Sequence, residues 1–320
     1  MRSSVAVLVG VILSLLASIA GAGETADETA LPKNLSQEYL LDRYASQEST
    51  FAYLNRTLVH YRDEGRGPAL LLIHGSLQDL YDWDVWTKTL SASYRVVRLD
   101  LPGSGLTGRV GSGDYSIDNT MRTIDALMDR LGERRFAVVG TSIGGVVAFR
   151  YAATRPERTS ALVLMNSAGV EWGNEKIIPP QPQRYNESLT DKVSRKDLRT
   201  ILNAVVPDPA KIPPGRLERG LDYVRREGRQ HEAAAMIGAY RRGEPAQMLG
   251  RIESPVLLVW GSTNRALDPT VADRFAELLV RSPAVEKSLV PGAGHGPHVE
   301  APAESVRFVT AFFTHHYLSR

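Results

Sequence analysis

Ser142 stands in Gly140-Thr141-Ser142-Ile143-Gly144-Gly145, after the apolar run Arg135-Phe136-Ala137-Val138-Val139 and before a helix-like stretch opening Val146-Val147-Ala148. A serine flanked by small residues two positions before and after can sit in a sharp strand-to-helix turn with its Oγ projecting outward, the posture of a nucleophile in acyl transfer. The pattern is short and marks only a turn unless its surroundings agree. Acyl transfer also needs a base to take the serine proton, a group that orients the base, and donors for the oxyanion. His295 is the candidate base. It lies in Gly292-Ala293-Gly294-His295-Gly296-Pro297, a flexible turn at the end of a β-rich run, which can bring an imidazole over the serine. The chain has seven histidines, and position selects this one. His298 has no assigned role, and His315-His316 near the C-terminus read as exposed tail residues.

The elements that must hold these groups follow from periodicity. Thr57 to Tyr61 alternates as a strand does, Asp63 to Gly67 makes a turn, and Ala69 to Ile73 is the continuous apolar run of a buried strand. Tyr94 to Leu99, Phe136 to Val139, Ala161 to Met165, Val256 to Trp260 and Val285 to Val290 read as further strands. Tyr81 to Leu90 has helical character, and Ile117 to Leu131 places Ile117, Met121, Ile124, Leu127, Met128 and Leu131 on one helical face. Strand and helix alternate, which predicts an α/β fold with a mostly parallel sheet covered by helices on both faces.

Three motifs together, Leu71-Leu72-Ile73-His74-Gly75-Ser76, the Ser142 turn and the His295 turn, resemble the α/β-hydrolase superfamily, and most of all bacterial serine esterases and lipases with a helical cap. The resemblance runs from about Phe51 to the C-terminus and includes Asp100-Leu101-Pro102-Gly103-Ser104-Gly105, similar to the family's turn after the fourth strand. It implies the chain order Ser, acid, His for the catalytic groups. It also implies that His74 supports its loop and transfers no protons. The oxyanion donors it implies are the backbone N–H groups of Ile143, at the start of a helix, and of Ser76. Each such donor is worth about 2.7–4 kcal/mol in the transition state.

The acid departs from the family pattern. After Val256 to Trp260 comes Gly261-Ser262-Thr263-Asn264-Arg265-Ala266-Leu267-Asp268-Pro269, and the family's aspartate position holds Asn264. In a serine triad an Asp-to-Asn change keeps the geometry but lowers turnover about 10⁴-fold through the wrong histidine tautomer. Asp268, four residues on, is the expected replacement. Its competing reading is a cap for the helical run Val271 to Leu279. The end of strand Ala161 to Met165, an alternative acid location, reads Asn166-Ser167-Ala168-Gly169, with Glu171 beyond the turn.

Length and composition fit this picture. At 320 residues the chain is long enough for one large domain, or one domain with an insertion. The expected division is residues 1–22 as a signal peptide or uncleaved anchor, 23–49 as a polar extension without chemistry, and 50–320 as the hydrolase domain, with a helical cap at about 169–249. The cap region carries Pro179-Pro180, Pro182, Pro207, Pro209 and Pro213-Pro214 and is too long for a loop. It is expected to lie over the C-terminal ends of the strands, where open α/β sheets bind ligands. Val5 to Ala22 is uncharged after Arg2, and Ala20-Gly21-Ala22 suits a signal peptidase. The catalytic part is therefore expected outside the cytoplasm, periplasmic or secreted, with membrane association only through this N-terminal segment. A net charge of +2 gives no case for nucleic acid, and the absence of cysteine excludes disulfides and a cysteine nucleophile. No metal or nucleotide motif is present, so no cofactor is expected. Tyr81, Trp83, Trp86 and Trp172 are candidates for an acyl pocket or for the core.

The leading reading is an exported hydrolase of carboxylic esters acting on a small-molecule substrate through an acyl-enzyme on Ser142. A carbon–carbon bond hydrolase of the same fold is the first alternative. A weakly catalytic or non-catalytic ligand-binding homologue, suggested by Asn264, is the second.

Overall fold

A computed structural model of the chain describes residues 34–170, 195–229, 232 and 245–317. The expected signal segment, Glu171, Trp172 and much of the expected cap therefore lie outside the described residues.

The described strands form one sheet in the order β1-β2-β4-β3-β5-β6-β7-β8. These are β1 (Thr50–Leu54), β2 (Thr57–Glu64), β3 (Ala69–Ile73), β4 (Arg95–Leu99), β5 (Phe136–Thr141), β6 (Thr159–Met165), β7 (Val256–Gly261) and β8 (Val285–Val290). The β1–β2 and β2–β4 pairs are antiparallel and every other pair is parallel. The central runs are uniformly apolar because both sheet faces are covered. Alternate residues point to opposite faces, so Leu71 and Ile73 of β3 join one core cluster while Leu70 and Leu72 join the other. β5 divides in the same way, Phe136 and Val138 to one side and Ala137 and Val139 to the other. Each such fully buried large apolar side chain contributes about 1.5–3 kcal/mol.

Helices flank the sheet. They are α1 (Gln37–Tyr44), α2 (Asp84–Leu90, after a 3₁₀ turn Leu80–Trp83), α3 (Ile117–Arg130), α4 (Ile143–Thr154), α5 (Arg195–Val205), α6 (Arg216–Val224), α7 (Pro245–Leu249), α8 (Val271–Leu278), α9 (Pro297–Glu300) and α10 (Pro302–His316). In α3 the Ser116 hydroxyl accepts from Asn119 N–H as an N-cap, and Ile117, Met121, Ile124, Leu127 and Met128 are buried along the expected face. Between β6 and β7, α5 and α6 share a small apolar cluster of Leu198, Leu202, Leu221 and Val224. α6 is held to the loop after β3 by two ion pairs: Arg216 makes a bidentate contact with Asp82 at 2.7 and 2.8 Å, and Arg219 grips Asp79. Asp82 and Arg216 are both buried, so each neutralises a charge that would otherwise be stranded.

Several elements differ from the sequence expectation. The polar stretch before residue 50 contains α1, capped by the Ser36 hydroxyl on Tyr39 N–H and anchored by the fully buried Leu40 beside Leu35, Leu106 and Tyr223. Its few apolar residues are too sparse to show periodicity, yet they suffice for a satellite cluster. β1 is an edge strand with a mixed burial pattern, which hides its alternation. His315 and His316 belong to the last turn of α10 and not to a free tail, with His316 Nε2 2.6 Å from Glu286 Oε1. Trp83 and Trp86 are fully buried core residues and no acyl pocket lining, and Trp86 Nε1 donates to Ser305 Oγ.

Candidate active site

Ser142 sits between β5 and α4 with φ 54° and ψ −121°, a conformation that costs a non-glycine residue about 1–3 kcal/mol. The surrounding contacts hold it there. Its N–H donates to Met165 O at 3.1 Å, and its carbonyl accepts from Gly145 and Ala168 N–H. The neighbouring glycines are required by close approach: a Cβ on Gly140 would meet Gly144 O at 2.3 Å, and one on Gly144 would meet His74 O at the same distance. The small residues of the motif are thus what lets strand, turn and helix pass so near one another.

The His74-Gly75 turn lies alongside, since a Cβ on Gly75 would come 3.0 Å from Ser142 Cβ. His74 is fully engaged: Leu101 N–H donates to Nε2 at 3.0 Å, so Nδ1 carries the proton and donates to Gly75 O at 2.8 Å. A ring with both nitrogens committed to backbone groups orders the loop and has no nitrogen left to move a proton. Gln78 Oε1 accepts from Gly75 N–H. Among the described residues, no backbone hydrogen bond takes up the Ser76 or the Ile143 N–H, the two expected oxyanion donors.

His295 is brought in by the loop after β8 and is clamped from three sides. Its N–H donates to Val205 O at the end of α5. Asn166, at the end of β6, donates through Nδ2 to His295 O at 2.8 Å and to Gly294 O at 3.2 Å, while its Oδ1 accepts from Gly261 N–H. Glu300 accepts from Gly294 and Gly296 N–H, both at 2.9 Å, so one carboxylate holds the amides on either side of the histidine. Burial raises the Glu300 pKa above the ordinary carboxylate value, partly offset by those two N–H donors. Glu300 was not singled out in the sequence; its signal there is an acid six residues after Gly294, in the short turn Pro297-His298-Val299-Glu300.

The position that orients the imidazole is occupied by Asn264. Its Oδ1 accepts from Ala266 and Leu267 N–H at 3.0 and 3.2 Å, which fixes the amide orientation and turns Nδ2 toward His295 Nδ1, 3.3 Å away. An NH₂ group only donates, so Nδ1 is the acceptor and the His295 proton resides on Nε2. A general base toward Ser142 requires the opposite tautomer. His295 Nε2, on the far edge of the ring, is buried with no hydrogen-bond partner among the described residues. Burial without a neighbouring carboxylate lowers the His295 pKa to about 4.

Asp268, expected to reach His295, is not brought to it. Its Oδ1 accepts from Thr270 N–H at 2.9 Å and Thr270 Oγ1 at 2.7 Å, and this hydroxyl contact also lowers its pKa. These contacts close an Asp-Pro-Thr turn ahead of α8, whose N-cap is Thr270 without a side-chain cap bond, so Asp268 neither reaches His295 nor caps the helix. Asp268→Asn is therefore expected to change ester turnover by less than about twofold, the ~0.5 kcal/mol scale of a surface substitution. Progress curves for the two proteins at equal concentration check this. Among the described residues, no group of three or more His, Cys, Asp or Glu gathers as metal ligands do.

A strained serine between β5 and α4 and a buried histidine after β8 sit on the mostly parallel, helix-covered sheet of the α/β-hydrolase class. Residues 68–302 match the alpha/beta hydrolase fold family, and the chain belongs to it. Among curated proteins it is 28% identical to the dihydrolipoyllysine-residue acetyltransferase component of an acetoin cleaving system from Pseudomonas putida, over 96% of this chain and 81% of that one. It is also 28% identical to a pimeloyl-[acyl-carrier protein] methyl ester esterase from Nitrosomonas europaea, over 79% of this chain and 98% of that one. Other relatives include a monoacylglycerol lipase and hydrolases of 2-hydroxy-6-oxo dienoates. Among solved structures, a bacterial membrane phospholipase A superposes with a TM-score of 0.72 at 26% identity, covering 96% of this chain and 93% of the other.

Proposed function

We propose that the chain is an exported serine hydrolase of carboxylic esters, and that Asn264 limits its rate. The observation that carries this reading is the Ser142 elbow, strained at φ 54° and lying alongside the His74-Gly75 turn. Strain held in place by a packed surround is what a nucleophile needs and what an ordinary turn has no reason to retain. The relatives named as esterase, lipase and phospholipase support ester chemistry. Export is proposed from the uncharged run Val5 to Ala22 alone. Among the described residues, no helix is long and apolar enough to cross a membrane.

In the proposed reaction Ser142 Oγ attacks the ester carbonyl and its proton passes to His295 Nε2. The carbonyl oxygen becomes an oxyanion held by Ile143 and Ser76 N–H. The tetrahedral intermediate collapses, the alcohol leaves with the proton from His295, and water reverses the sequence to free Ser142. The first proton transfer requires Nε2 to be unprotonated. That tautomer turns Nδ1–H against the Asn264 NH₂, two donors face to face, at a cost of about 1–3 kcal/mol for the unmade bond. Turnover proceeds through this minor tautomer and is slow.

The test is release of p-nitrophenol from short-chain esters by the protein from Gly23 onward, beside Ser142→Ala prepared identically. Slow wild-type turnover that falls to the uncatalysed rate in the variant is the expected result. Equal rates in the two proteins would remove Ser142 from the chemistry, and turnover of a vinylogous diketone but of no ester would move the assignment to carbon–carbon cleavage.

A further inference from the structure

A complete carboxylate–imidazole–hydroxyl line exists in this molecule, and it is not at Ser142. His60 of β2 lies with Nδ1 2.7 Å from Asp100 Oδ2 and Nε2 2.8 Å from Ser49 Oγ. We propose that Ser49 is a second nucleophilic serine, activated by His60 and Asp100, which takes an acyl or phosphonyl group from small activated esters reaching it from solvent.

The hydrogen-bond roles follow from the partners. Asp100 accepts from Leu80 N–H through Oδ1 and from Leu106 N–H through Oδ2, each at 2.8 Å, so it is oriented as an ionised, acceptor-only group. Burial alone would raise its pKa, but the adjacent His60 ring, the His74 ring and the backbone donor hold it below the ordinary value. The acceptor-only carboxylate fixes a ring proton on Nδ1, toward Asp100; with that single ring proton, Nε2 is the acceptor of the Ser49 hydroxyl. That is the tautomer a general base requires, and the opposite of the one Asn264 imposes on His295.

The surroundings bury the base and leave Ser49 half-buried, its Oγ also 3.4 Å from Tyr81 Oη. His60 and Asp100 are fully buried, and the Phe51 ring stacks on His60 at 4.9 Å. Ser49 is only partly buried and lies between exposed Glu48 and Thr50, on the turn entering β1. Ser46 N–H donates to Ser49 Oγ at 3.1 Å, a donor that stabilises charge developing on that oxygen. Arg62 is two residues beyond His60 on the same face of β2 and donates to Ser46 Oγ. The guanidinium also pairs with Glu48 and Asp84 at 3.6 and 3.7 Å and lies over the Tyr81 ring, so its charge is already shared among the groups around Ser49.

Ser49 Oγ bonds to the acyl carbon, the hydroxyl proton passes to His60 Nε2, the ester C–O bond breaks and the alcohol departs with that proton. With a fluorophosphonate the P–F bond breaks instead, and fluoride leaves with the proton. The shallow position selects small electrophiles over long acyl chains.

The experiment treats full-length Ser142→Ala protein with a small fluorophosphonate and maps adducts by peptide mass spectrometry, with circular dichroism confirming the fold. Labelling at Ser49 is expected to exceed that at Ser46, an ordinary hydroxyl on the same turn, by roughly 10²-fold or more, the contribution of a positioned general base. Adding His60→Gln should bring Ser49 down to the Ser46 level, and Ser49→Ala should abolish the adduct without unfolding the protein. Ser49 labelled no faster than Ser46 in folded Ser142→Ala protein would overturn the proposal and leave the three residues as a stitch between β1, β2 and the loop after β4. The Ser142→Ala background makes this result independent of the ester reaction proposed at the elbow.

Discussion

Asn264→Asp should raise ester turnover by at least about tenfold and by up to about 10⁴-fold, the reverse of the loss that an Asp-to-Asn change produces in a serine triad. The substitution is nearly isosteric, and the existing contacts accommodate it. One carboxylate oxygen inherits the Ala266 and Leu267 N–H donors that Oδ1 now accepts, while the other faces His295 Nδ1 across the present 3.3 Å contact. Where Nδ2 now donates, the introduced oxygen accepts. The proton moves to Nδ1, Nε2 becomes the base, and the imidazolium formed during attack gains a counter-charge. The pH profile should change with it. His295, with a pKa lowered to about 4, stays neutral through weak acid, so wild-type kcat/KM should be flat from about pH 5 to 8. A carboxylate beside the ring favours its charged form and raises its pKa, so the variant should acquire an acid limb that moves toward the ordinary histidine range. A kcat/KM series against pH for both proteins checks the two effects together. Unchanged turnover in a folded variant would show that the tautomer does not limit the rate.

The parts of this molecule that repeat a period were readable in the chain. β3, β5, β6 and β7 are continuous apolar runs because both faces of each strand are buried, and α3 shows its stripe because one face is. The Ser142 turn was readable for a different reason: a Cβ added at Gly140 or Gly144 would lie 2.3 Å from a backbone oxygen, so the constraint is written into residue type. The orientation of the imidazole was not readable. It depends on which side chain reaches Nδ1, and Asn264 and Asp268 differ by four residues in one loop. Thr270 draws Asp268 away, while the Ala266 and Leu267 N–H groups turn Asn264 toward the ring. α1 and the Ser49–His60–Asp100 line were hidden as well. The first rests on single apolar contacts without a period, and the second joins residues 11 and 40 positions apart whose meeting depends on β2 pairing with β4.

Acidification should destabilise the fold well before the carboxylates titrate, because two histidines, His295 just before α9 and His298 within it, are buried without a hydrogen-bonded carboxylate. The His295 pKa is lowered to about 4 and that of His298 to about 3, in both cases chiefly by burial. For His298, Asp82 pulls in the opposite direction, while Arg216 and His295 add to the lowering. Both His298 nitrogens lack partners among the described residues, and its ring packs against Trp83 at 4.4 Å. Each ring binds a proton more readily in the unfolded chain, at the ordinary value near 6.5, than in the native state. Stability is therefore complete above about pH 6.5 and declines as pH falls toward the native values near 4 and 3. The loss reaches the order of 3 kcal/mol for His295, with a similar or larger amount for His298, a large part of a typical folding free energy. Urea melts at pH 7.5, 5.5 and 4.5 should show this decline. His298→Leu removes one of the two titrating rings and leaves no ring nitrogen to satisfy, so it should be nearly neutral at pH 7.5 and flatten the decline. If the variant follows the wild-type curve point for point, His298 is not among the groups that unfold this protein in acid.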